Sequence, residues 1–242
     1  MSEHSDLKKI GHLYQTDKID HGYLEIYENY FNKLQNKNLT ILEIGIADGK
    51  SLLMWSDYFK NSKIIGIDIH KINLEEKKLN RKNIFVHQGS QSDKKFIDEI
   101  IKEYTEFDII IDDGSHLAKD VKKSFELLFP SLKENGLYII EDIQTSYNHF
   151  FGGNPFDLKY SNSHMNFFKQ LTDSLNYQEI ANPFYIEKKY DGKITNISFY
   201  HNMVVVKKGN NMISSKNHLF SHDCFHLKLL LRVENSYKLH QI

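Results

Sequence analysis

Short apolar runs, separated by turn residues and by polar stretches of helical spacing, dominate the first 140 residues of the chain. The apolar runs predict five strands, at residues 39–46, 63–69, 83–88, 107–112 and 137–141. One-sided apolar spacing predicts helices around them, at residues 23–34, from Ser51 onward, at 94–104 and at 118–129, with a polar helical stretch between the second and third strands. Strands that alternate with helices imply right-handed crossovers and a doubly wound, mostly parallel α/β sheet.

The pattern changes toward the end of the chain. Two strand-like runs, Ile194 to Tyr200 and Met203 to Lys207, are separated only by His201-Asn202, which predicts an antiparallel hairpin. An ordinary dinucleotide-binding dehydrogenase sheet does not need such an antiparallel strand. Residues 184–189, followed by Asp191-Gly192, predict one further strand and a turn.

We divide the chain into three parts: an N-terminal helical or lid segment (1–38), a core domain (39–208) and a C-terminal helical extension (209–242). The extension has helical apolar spacing at Leu227, Leu230 and Leu231. The chain has only 3 prolines and 12 glycines and no repeat of fixed period, so composition marks no boundary within the core. We therefore expect the core to be one domain.

Acidic residues cluster where two of the predicted strands end. Asp112 and Asp113 follow one strand, Glu141 and Asp142 follow the next, and His116 lies three residues beyond Asp113. The carboxyl ends of parallel strands meet at one edge, which is where open α/β sheets bind ligands. Carboxylates packed together need a divalent cation, a cationic ligand or extensive hydrogen bonding. A metal site beside a bound cofactor is the leading hypothesis, and helix capping by strand-end aspartates is the alternative.

Composition narrows the range of functions. Lys plus Arg (31) nearly balances Asp plus Glu (32), so no positive field would hold a polyanion and we expect no nucleic-acid partner. The single cysteine, Cys224, excludes an internal disulfide framework and suits a reducing compartment. The sequence has neither an apolar segment near its N-terminus nor a run of about 18 apolar residues, so we expect a cytoplasmic protein without membrane insertion.

A glycine turn follows the first predicted strand. Glu43, Gly45 and Gly49 mark the strand end and the turn, and Asp68 ends the second strand, 68 − 43 = 25 residues after Glu43. Glycine lets the backbone approach a cofactor, and a carboxylate can accept two hydrogen bonds from a vicinal diol. The interval is near the roughly 20 residues expected for a nucleotide-binding unit. Taken alone, the turn fits any α/β protein equally well.

Together these motifs resemble the class I S-adenosylmethionine-dependent methyltransferases, over roughly residues 39–208. The resemblance implies a Rossmann-like, mostly parallel seven-stranded sheet with a reversed final strand. The expected cofactor-binding residues are Glu43, Gly45, Gly49, Asp68, Ser90 and Asp112, together with Tyr14, Thr16 and Lys18. Those last three form either a lid over the methyl donor or an N-terminal cap on the sheet.

A closer resemblance is to the magnesium-dependent sugar O-methyltransferases of the macrolide-sugar type. It rests on residues 112–116, Ser124-Phe125, 128–130, 141–142, Thr145-Ser146-Tyr147 and Gly152-Gly153. The N-terminal residues 14–18, with His21 and Tyr23, also resemble the segment that precedes the core in many bacterial relatives. It implies that Asp113, Glu141 and Asp142 bind Mg²⁺, that His116 is the general base and that Asp113 also serves catalysis. Catechol-type O-methyltransferases are similar but have an asparagine in place of Asp142, so the aspartate favours the sugar branch.

The sequence therefore predicts an S-adenosylmethionine- and Mg²⁺-dependent O-methyltransferase. We expect it to act on a sugar hydroxyl of a glycan, a sugar nucleotide or a glycosylated metabolite, and to take part in polysaccharide biosynthesis. The alternatives are a catechol or other small-molecule diol O-methyltransferase, a nicotinamide-dependent oxidoreductase and a non-catalytic binding protein. The missing Gly-x-Gly-x-x-Gly pattern and the terminal hairpin argue against the oxidoreductase. The acceptor, the choice among Mg²⁺, Mn²⁺ and Ca²⁺, and the oligomeric state, a homo-oligomer included, stay open.

Overall fold

A computed structural model describes residues 6–75, 77–180, 182 and 184–212. These residues fold around a seven-stranded sheet of order β3-β2-β1-β4-β5-β7-β6. The strands are β1 (Thr40–Ile44), β2 (Lys63–Asp68), β3 (Ile84–Gln88), β4 (Phe107–Asp112), β5 (Leu132–Ile140), β6 (Ile194–Tyr200) and β7 (Met203–Lys208). The helices are α1 (Asp6–Tyr14), α2 (Tyr23–Phe31), α3 (Lys50–Tyr58), α4 (Lys94–Tyr104), α5 (Ala118–Leu128) and α6 (His164–Gln170). The five strands from β3 to β5 are parallel, and β7 runs antiparallel to both β5 and β6. The predicted fold class is confirmed.

The central strands are largely apolar because both faces of the sheet are covered. On β4, Ile109 and Ile111 enter the core that contains residues of α1, α2 and α3, whereas Ile110 enters the core that contains residues of α4, α5 and α6. Successive strand residues point to opposite faces, so a strand between two helical layers buries every side chain. This double burial explains why an unbroken apolar run, rather than alternation, predicted β4.

The N-terminal helices pack onto the sheet. Leu7 of α1 and four residues of α2 are buried in the first core, and the α2 residues are Tyr23, Leu24, Tyr27 and Phe31. A short 3₁₀ turn, Asp17–Ile19, joins the two helices and brings Lys18 into the interior. The three-part division of the chain stays a prediction, but its first part contributes to the same core as the sheet.

Two predicted elements are wrong. The described residues between β2 and β3 (69–75 and 77–83) form turns and irregular segments instead of a helix. Their apolar residues are too few to give a helix a buried face, and Leu79 alone is fully buried there. Residues 184–189 are not a strand, and the exposed Phe184 (68%) and Ile186 (83%) show why: the segment covers no core. In the other direction, β5 begins five residues before the predicted Leu137.

The predicted C-terminal helix, with Leu227, Leu230 and Leu231, lies outside the described residues, as does Cys224. Within the described ranges, no helix combines the length and the apolar character that crossing a bilayer requires.

Candidate active site

A cleft of about 510 Å³ opens at the carboxyl ends of β2, β1, β4 and β5. It is lined by Asp17, Ile44, Gly45, Ala47, Ile67, Asp68, Ile69, His70, Gly89, Ser90, Gln91, Asp113, Gly114, Ser115, His116, Asp120 and Asp142. This is the edge at which open α/β sheets bind ligands, because the loops that leave adjacent strands diverge there. The predicted residues Gly45, Asp68, Ser90, Asp113, His116 and Asp142 therefore share one cleft.

The glycine turn after β1 is in backbone contact with the loop after β4. Gly45 has a φ of 77°, and a Cβ placed on it would lie 2.1 Å from the carbonyl oxygen of Asp113. Gly49 has a φ of 78°, and a Cβ there would lie 2.5 Å from Leu79 Cδ1. Both positions thus require glycine, for left-handed backbone and for space. The turn brings the β1 and β4 loops close enough to form one floor.

Asp68 is held by the backbone of the cleft. Its Oδ2 accepts hydrogen bonds from the amides of Ile46 (3.0 Å) and Ala47 (3.2 Å), and its Oδ1 accepts one from the amide of His70 (2.8 Å). A carboxylate offers about four acceptor sites, so with three of them filled the group retains room for about one hydrogen bond from a ligand hydroxyl. Asp68 is a pre-oriented acceptor at the β2 end of the cleft.

Asp113, His116 and Asp142 meet at the β4–β5 end of the cleft. One potential ligand atom from each lies within 4.8 Å of the other two. His116 Nε2 is 3.7 Å from Asp142 Oδ2 and 3.9 Å from Asp113 Oδ1. Within the described part of the chain, no other set of three or more His, Cys, Asp or Glu side chains has the spacing of metal ligands. Glu141 is not a member of it.

His116 and Asp142 both have left-handed backbones, with φ of 55° and 52°. A non-glycine residue in this region costs about 1–3 kcal/mol and persists only where its surroundings impose it. Such residues concentrate at functional sites, and here two of them belong to one three-residue group.

The surroundings of Asp142 favour the charged form of its carboxylate. Its Oδ1 accepts hydrogen bonds from the Tyr23 hydroxyl (2.6 Å) and from Gln144 Nε2 (3.2 Å). Burial alone would raise the pKa of Asp142, but these two bonds and the neighbouring His116 hold that pKa below its usual value. The other oxygen, Oδ2, faces His116.

Lys18 supplies a cation from within the chain. Its side chain is 1% exposed, and its Nζ lies 2.8 Å from Asp113 Oδ2, 2.8 Å from Glu141 Oε1 and 3.3 Å from Glu43 Oε1. Burial by itself would lower the pKa of Lys18, but the three carboxylates together raise it well above its usual value. The structure pairs Lys18 with three acidic residues, and its predicted role as a cofactor contact stays a prediction.

Glu43 and Glu141 are buried beneath the cleft lining, and burial raises the pKa of both. Glu43 accepts a hydrogen bond from Ser51 (2.8 Å), and Glu141 Oε1 accepts one from the Tyr27 hydroxyl as well as the bond from Lys18. Neither glutamate is among the residues that line the described cleft. Glu43 as a cofactor contact and Glu141 as a metal ligand stay predictions.

Asp112 points away from the cleft, as strand alternation requires. It is 1% exposed, and its carboxylate accepts hydrogen bonds from Gln91 Nε2 (3.0 Å), the Tyr138 hydroxyl (3.2 Å) and the Ser124 hydroxyl. Burial raises the pKa of Asp112 to about 6. Gln91 Oε1 in turn accepts a hydrogen bond from the Ser115 amide (2.7 Å), so this network sets the path of the loop after β4.

Tyr14 and Thr16 lie beside the cleft rather than in its lining. The Tyr14 hydroxyl is bonded to Asp57 and receives a hydrogen bond from Arg81 (2.8 Å). Thr16 is buried and borders a smaller neighbouring pocket of about 260 Å³, together with Asp17 and Gly45. Their roles as cofactor contacts stay predictions.

Sequence reasoning missed several side chains that hydrogen-bond to the acidic residues or to the residues that support them. Tyr23, Tyr27, Gln91, Thr145 and His164 each contact a site residue or its support. The two tyrosines reach across more than 110 positions. The signals available were the N-terminal motif around Lys18 and the Thr145-Ser146-Tyr147 motif, which the resemblance singled out without assigning a contact to Tyr23 or Thr145.

A family model described as a methyltransferase domain matches residues 42–143. Among curated proteins, the chain is 34% identical over 220 residues to mycinamicin VI 2''-O-methyltransferase of Micromonospora griseorubida, covering 87% of this chain and 54% of the relative. It is 33% identical over 224 residues to 8-demethyl-8-(2-methoxy-alpha-L-rhamnosyl)-tetracenomycin-C 3'-O-methyltransferase of Streptomyces olivaceus, covering 87% and 55%. The chain thus spans little more than half the length of these relatives.

A solved structure agrees with this family. The MycE methyltransferase from the mycinamycin biosynthetic pathway, in complex with Mg and SAH, superimposes with a TM-score of 0.82 at 33% identity, covering 90% of this chain and 58% of that one. The matched family model, the strand order with its reversed final strand and these likenesses together show that residues 42–143 form a methyltransferase domain within a Rossmann-like methyltransferase fold, and that the chain is similar to sugar O-methyltransferases.

Proposed function

We propose that the chain transfers a methyl group from S-adenosylmethionine to a hydroxyl of a sugar, with Mg²⁺ held at the ends of β4 and β5. The observation that carries this proposal is the meeting of Asp113, His116 and Asp142 in the same cleft as Asp68. The sugar class comes from the relatives: one is named for O-methylation of mycinamicin VI and the other for O-methylation of a rhamnosyl tetracenomycin.

The side chains fit a hard divalent cation. Asp113 Oδ2 and Asp142 Oδ1 are anchored, by Lys18 and by Tyr23 with Gln144, whereas the second oxygen of each carboxylate faces His116. Carboxylate oxygens are the ligands that Mg²⁺ prefers, and two ligands on opposite sides of one ion lie roughly 4.2 Å apart. The ligand oxygens of Asp113 and Asp142 lie within 4.8 Å of each other, which is close to this spacing.

Glu141 would complete the ligand set through its second oxygen. Lys18 and Tyr27 both donate to Oε1, so ligation in our proposal goes through Oε2. Burial raises the pKa of Glu141, and an adjacent divalent ion would favour the charged form that a ligand must have. Lys18 remains the permanent counter-ion of Oε1 in this arrangement.

In this proposal the cation, the methyl donor and His116 each have a separate role in the reaction. When bound, Mg²⁺ supplies Lewis-acid polarisation that acidifies and orients an acceptor hydroxyl, and S-adenosylmethionine supplies a methyl group on a positive sulfur. His116 Nε2 accepts the hydroxyl proton while the acceptor oxygen bonds to the methyl carbon and the sulfur–carbon bond breaks. A positioned general base of this kind contributes about 10²–10⁴-fold to the rate.

Asp68 and the glycine turn would hold the donor. The Asp68 carboxylate, fixed by three backbone amides, retains an acceptor site for a ribose hydroxyl of the donor. Gly45 permits close approach of the donor to the backbone, next to the loop that carries Asp113. The rest of the acceleration then comes from holding the donor carbon and the acceptor oxygen at reacting distance.

The test is transfer of an isotope-labelled methyl group from S-adenosylmethionine to a panel of sugar nucleotides, glycosylated macrolides and catechols. We expect labelled sugar products, loss of transfer on chelation and recovery with Mg²⁺. His116→Ala and Asp113→Ala should each lower transfer by at least about 100-fold, whereas Asp98→Asn, an exposed change on α4, should not. Transfer to catechols alone, or tight NAD binding without donor binding, would overturn the proposal.

A further inference from the structure

The carbonyl oxygens of His116 and Asp142, the two site residues with left-handed backbones, both lie near the hydroxyl of Thr145. Thr145 Oγ1 lies 2.7 Å from the carbonyl oxygen of Asp142 and 3.4 Å from the carbonyl oxygen of His116. The Thr145 amide also donates to the Asp142 carbonyl, at 3.1 Å. A threonine hydroxyl often bonds the carbonyl three residues earlier, so the Asp142 contact alone would be local. The longer contact with His116, 29 positions away, is not local, and it shares the single hydroxyl hydrogen of Thr145 with the Asp142 bond.

A buried histidine stands on the other side of this hydroxyl. His164, 1% exposed, places Nε2 3.2 Å from Thr145 Oγ1. Burial lowers the pKa of His164 to about 4, so the ring is neutral near pH 7 and carries one N–H. Because the Thr145 hydrogen is directed at carbonyl oxygens, Nε2–H is the donor to Oγ1. His164 Nδ1 is buried without a partner among the described residues, as an unprotonated ring nitrogen in this tautomer would be.

Helix α6 supports the same loop through a second bond. The Met165 amide, in the first turn of α6, donates to Ser146 Oγ at 3.0 Å. The first two residues of α6 therefore contact two successive residues of the 3₁₀ turn Ile143–Tyr147 that follows Asp142. Helix α6 therefore braces the turn three and four residues after Asp142, whose left-handed backbone precedes the turn.

We propose that Thr145, braced by His164, is a positioning residue that holds the left-handed backbones of His116 and Asp142 together and so sets the geometry of the metal group. The inference rests on the proposed function, because the group's spacing matters only if an ion binds there. Left-handed non-glycine residues relax unless their surroundings hold them, and metal sites tolerate displacements of only about 0.5 Å.

The test compares Thr145→Val, which removes the hydroxyl but keeps the shape, with Thr145→Ser, which keeps the hydroxyl. Binding of Mn²⁺, as a paramagnetic substitute for Mg²⁺, is measured by electron paramagnetic resonance, and folding by circular dichroism. We expect Mn²⁺ binding to weaken by about 10–100-fold in Thr145→Val, as for other residues that orient metal ligands. Thr145→Ser should retain wild-type affinity.

Two further variants separate the roles. Ser146→Ala removes the neighbouring α6 bond without touching either strained carbonyl, and it should leave Mn²⁺ affinity unchanged. His164→Phe keeps a ring but removes the donor to Thr145, so it should weaken Mn²⁺ binding in the same direction as Thr145→Val, and it carries the test if Thr145→Val does not fold.

The outcomes are distinguishable. If the wild type binds Mn²⁺ and Thr145→Val or His164→Phe binds it equally well, the positioning role is overturned and the proposed function stands. If Ser146→Ala weakens binding as much as Thr145→Val does, general loosening of the α6 contact explains the loss and the specific role is again overturned. If the wild type itself binds no Mn²⁺, the proposed metal dependence fails first.

Discussion

The Lys18 ammonium lies 2.8 Å from Glu141 Oε1, although 123 positions separate the two residues. The same nitrogen is within 3.3 Å of carboxylate oxygens of Glu43 and Asp113. One buried cation thus joins the ends of β1, β4 and β5, the three adjacent strands whose acidic residues would otherwise repel one another. An acidic edge built this way can persist before any metal ion binds.

Lys18→Met should destabilise the protein by about 3–5 kcal/mol, because it leaves buried carboxylates without their partner. The measurement is urea denaturation in the presence of a chelator. Mg²⁺ should recover part of the loss, since a divalent ion near Asp113 compensates for some of the missing positive charge. Adding Glu141→Gln to Lys18→Met should also recover part of it by removing one of the carboxylates.

Lys50→Met is the matched control. Its ion pair with Asp48 is about half exposed on both sides, and such solvent-screened pairs contribute little to stability. Equal losses of stability in Lys18→Met and Lys50→Met would contradict the role of Lys18 as a buried counter-ion.

Much of the fold could be predicted because the sheet imposes a simple pattern. The helix α4 was predicted at its observed bounds, and the hairpin of β6 and β7 was found from its two-residue turn. Parallel strands buried on both faces must be apolar, and their carboxyl ends must share an edge. The meeting of Asp113, His116 and Asp142 follows from this rule alone.

The contacts that hold the site could not be predicted in the same way. Lys18, Tyr23 and Tyr27 reach the acidic residues from a helical segment that precedes the sheet in sequence. Nothing in strand or helix periodicity specifies how such a segment packs across an edge. Local sequence signals also fail where a segment buries little, as at residues 184–189, because a segment of high β-propensity there has no sheet to join.

Gly45→Ala should disrupt both stability and donor binding. The new Cβ would lie 2.1 Å from the Asp113 carbonyl oxygen, so the loop after β4 must move. Gly22→Ala is the control, because Gly22 also has a positive φ (72°) but a Cβ there meets no atom within 4 Å. We expect Gly22→Ala to cost about 1 kcal/mol from backbone strain alone. Calorimetry with S-adenosylhomocysteine should show weakened binding for Gly45→Ala only; equal effects would refute a close contact of the two loops.

Tyr14→Phe tests whether Tyr14 belongs to an N-terminal cap on the sheet or to a lid over the methyl donor. The hydroxyl of Tyr14 is bonded to Asp57 and Arg81, so its loss should cost about 1 kcal/mol of stability. Affinity for S-adenosylhomocysteine should not change, since neither partner lines the cleft. Asp68→Asn is the positive control and should weaken that affinity about tenfold or more. A comparable loss in Tyr14→Phe would show that Tyr14 covers the donor.

The carboxyl group of Asp112 should titrate near neutrality. Burial raises its pKa from 3.8 to about 6, so its folded value lies above its unfolded value. The stabilising contribution of the protonated group is then fully present below about pH 4 and is lost as the pH rises through about 6. A shift of about two pKa units corresponds to roughly 3 kcal/mol.

Carbon-13 NMR of labelled aspartate should therefore show a carboxyl midpoint near pH 6 that disappears in Asp112→Asn. Ser124→Ala should move this midpoint higher, because the Ser124 hydroxyl donates to the charged form and its removal leaves that form less stable. A midpoint at or below the ordinary value for aspartate would mean that the bonds from Gln91, Ser124 and Tyr138 outweigh burial. The loop after β4 would then be fixed by a permanent charge instead of by a carboxyl group that can take up a proton.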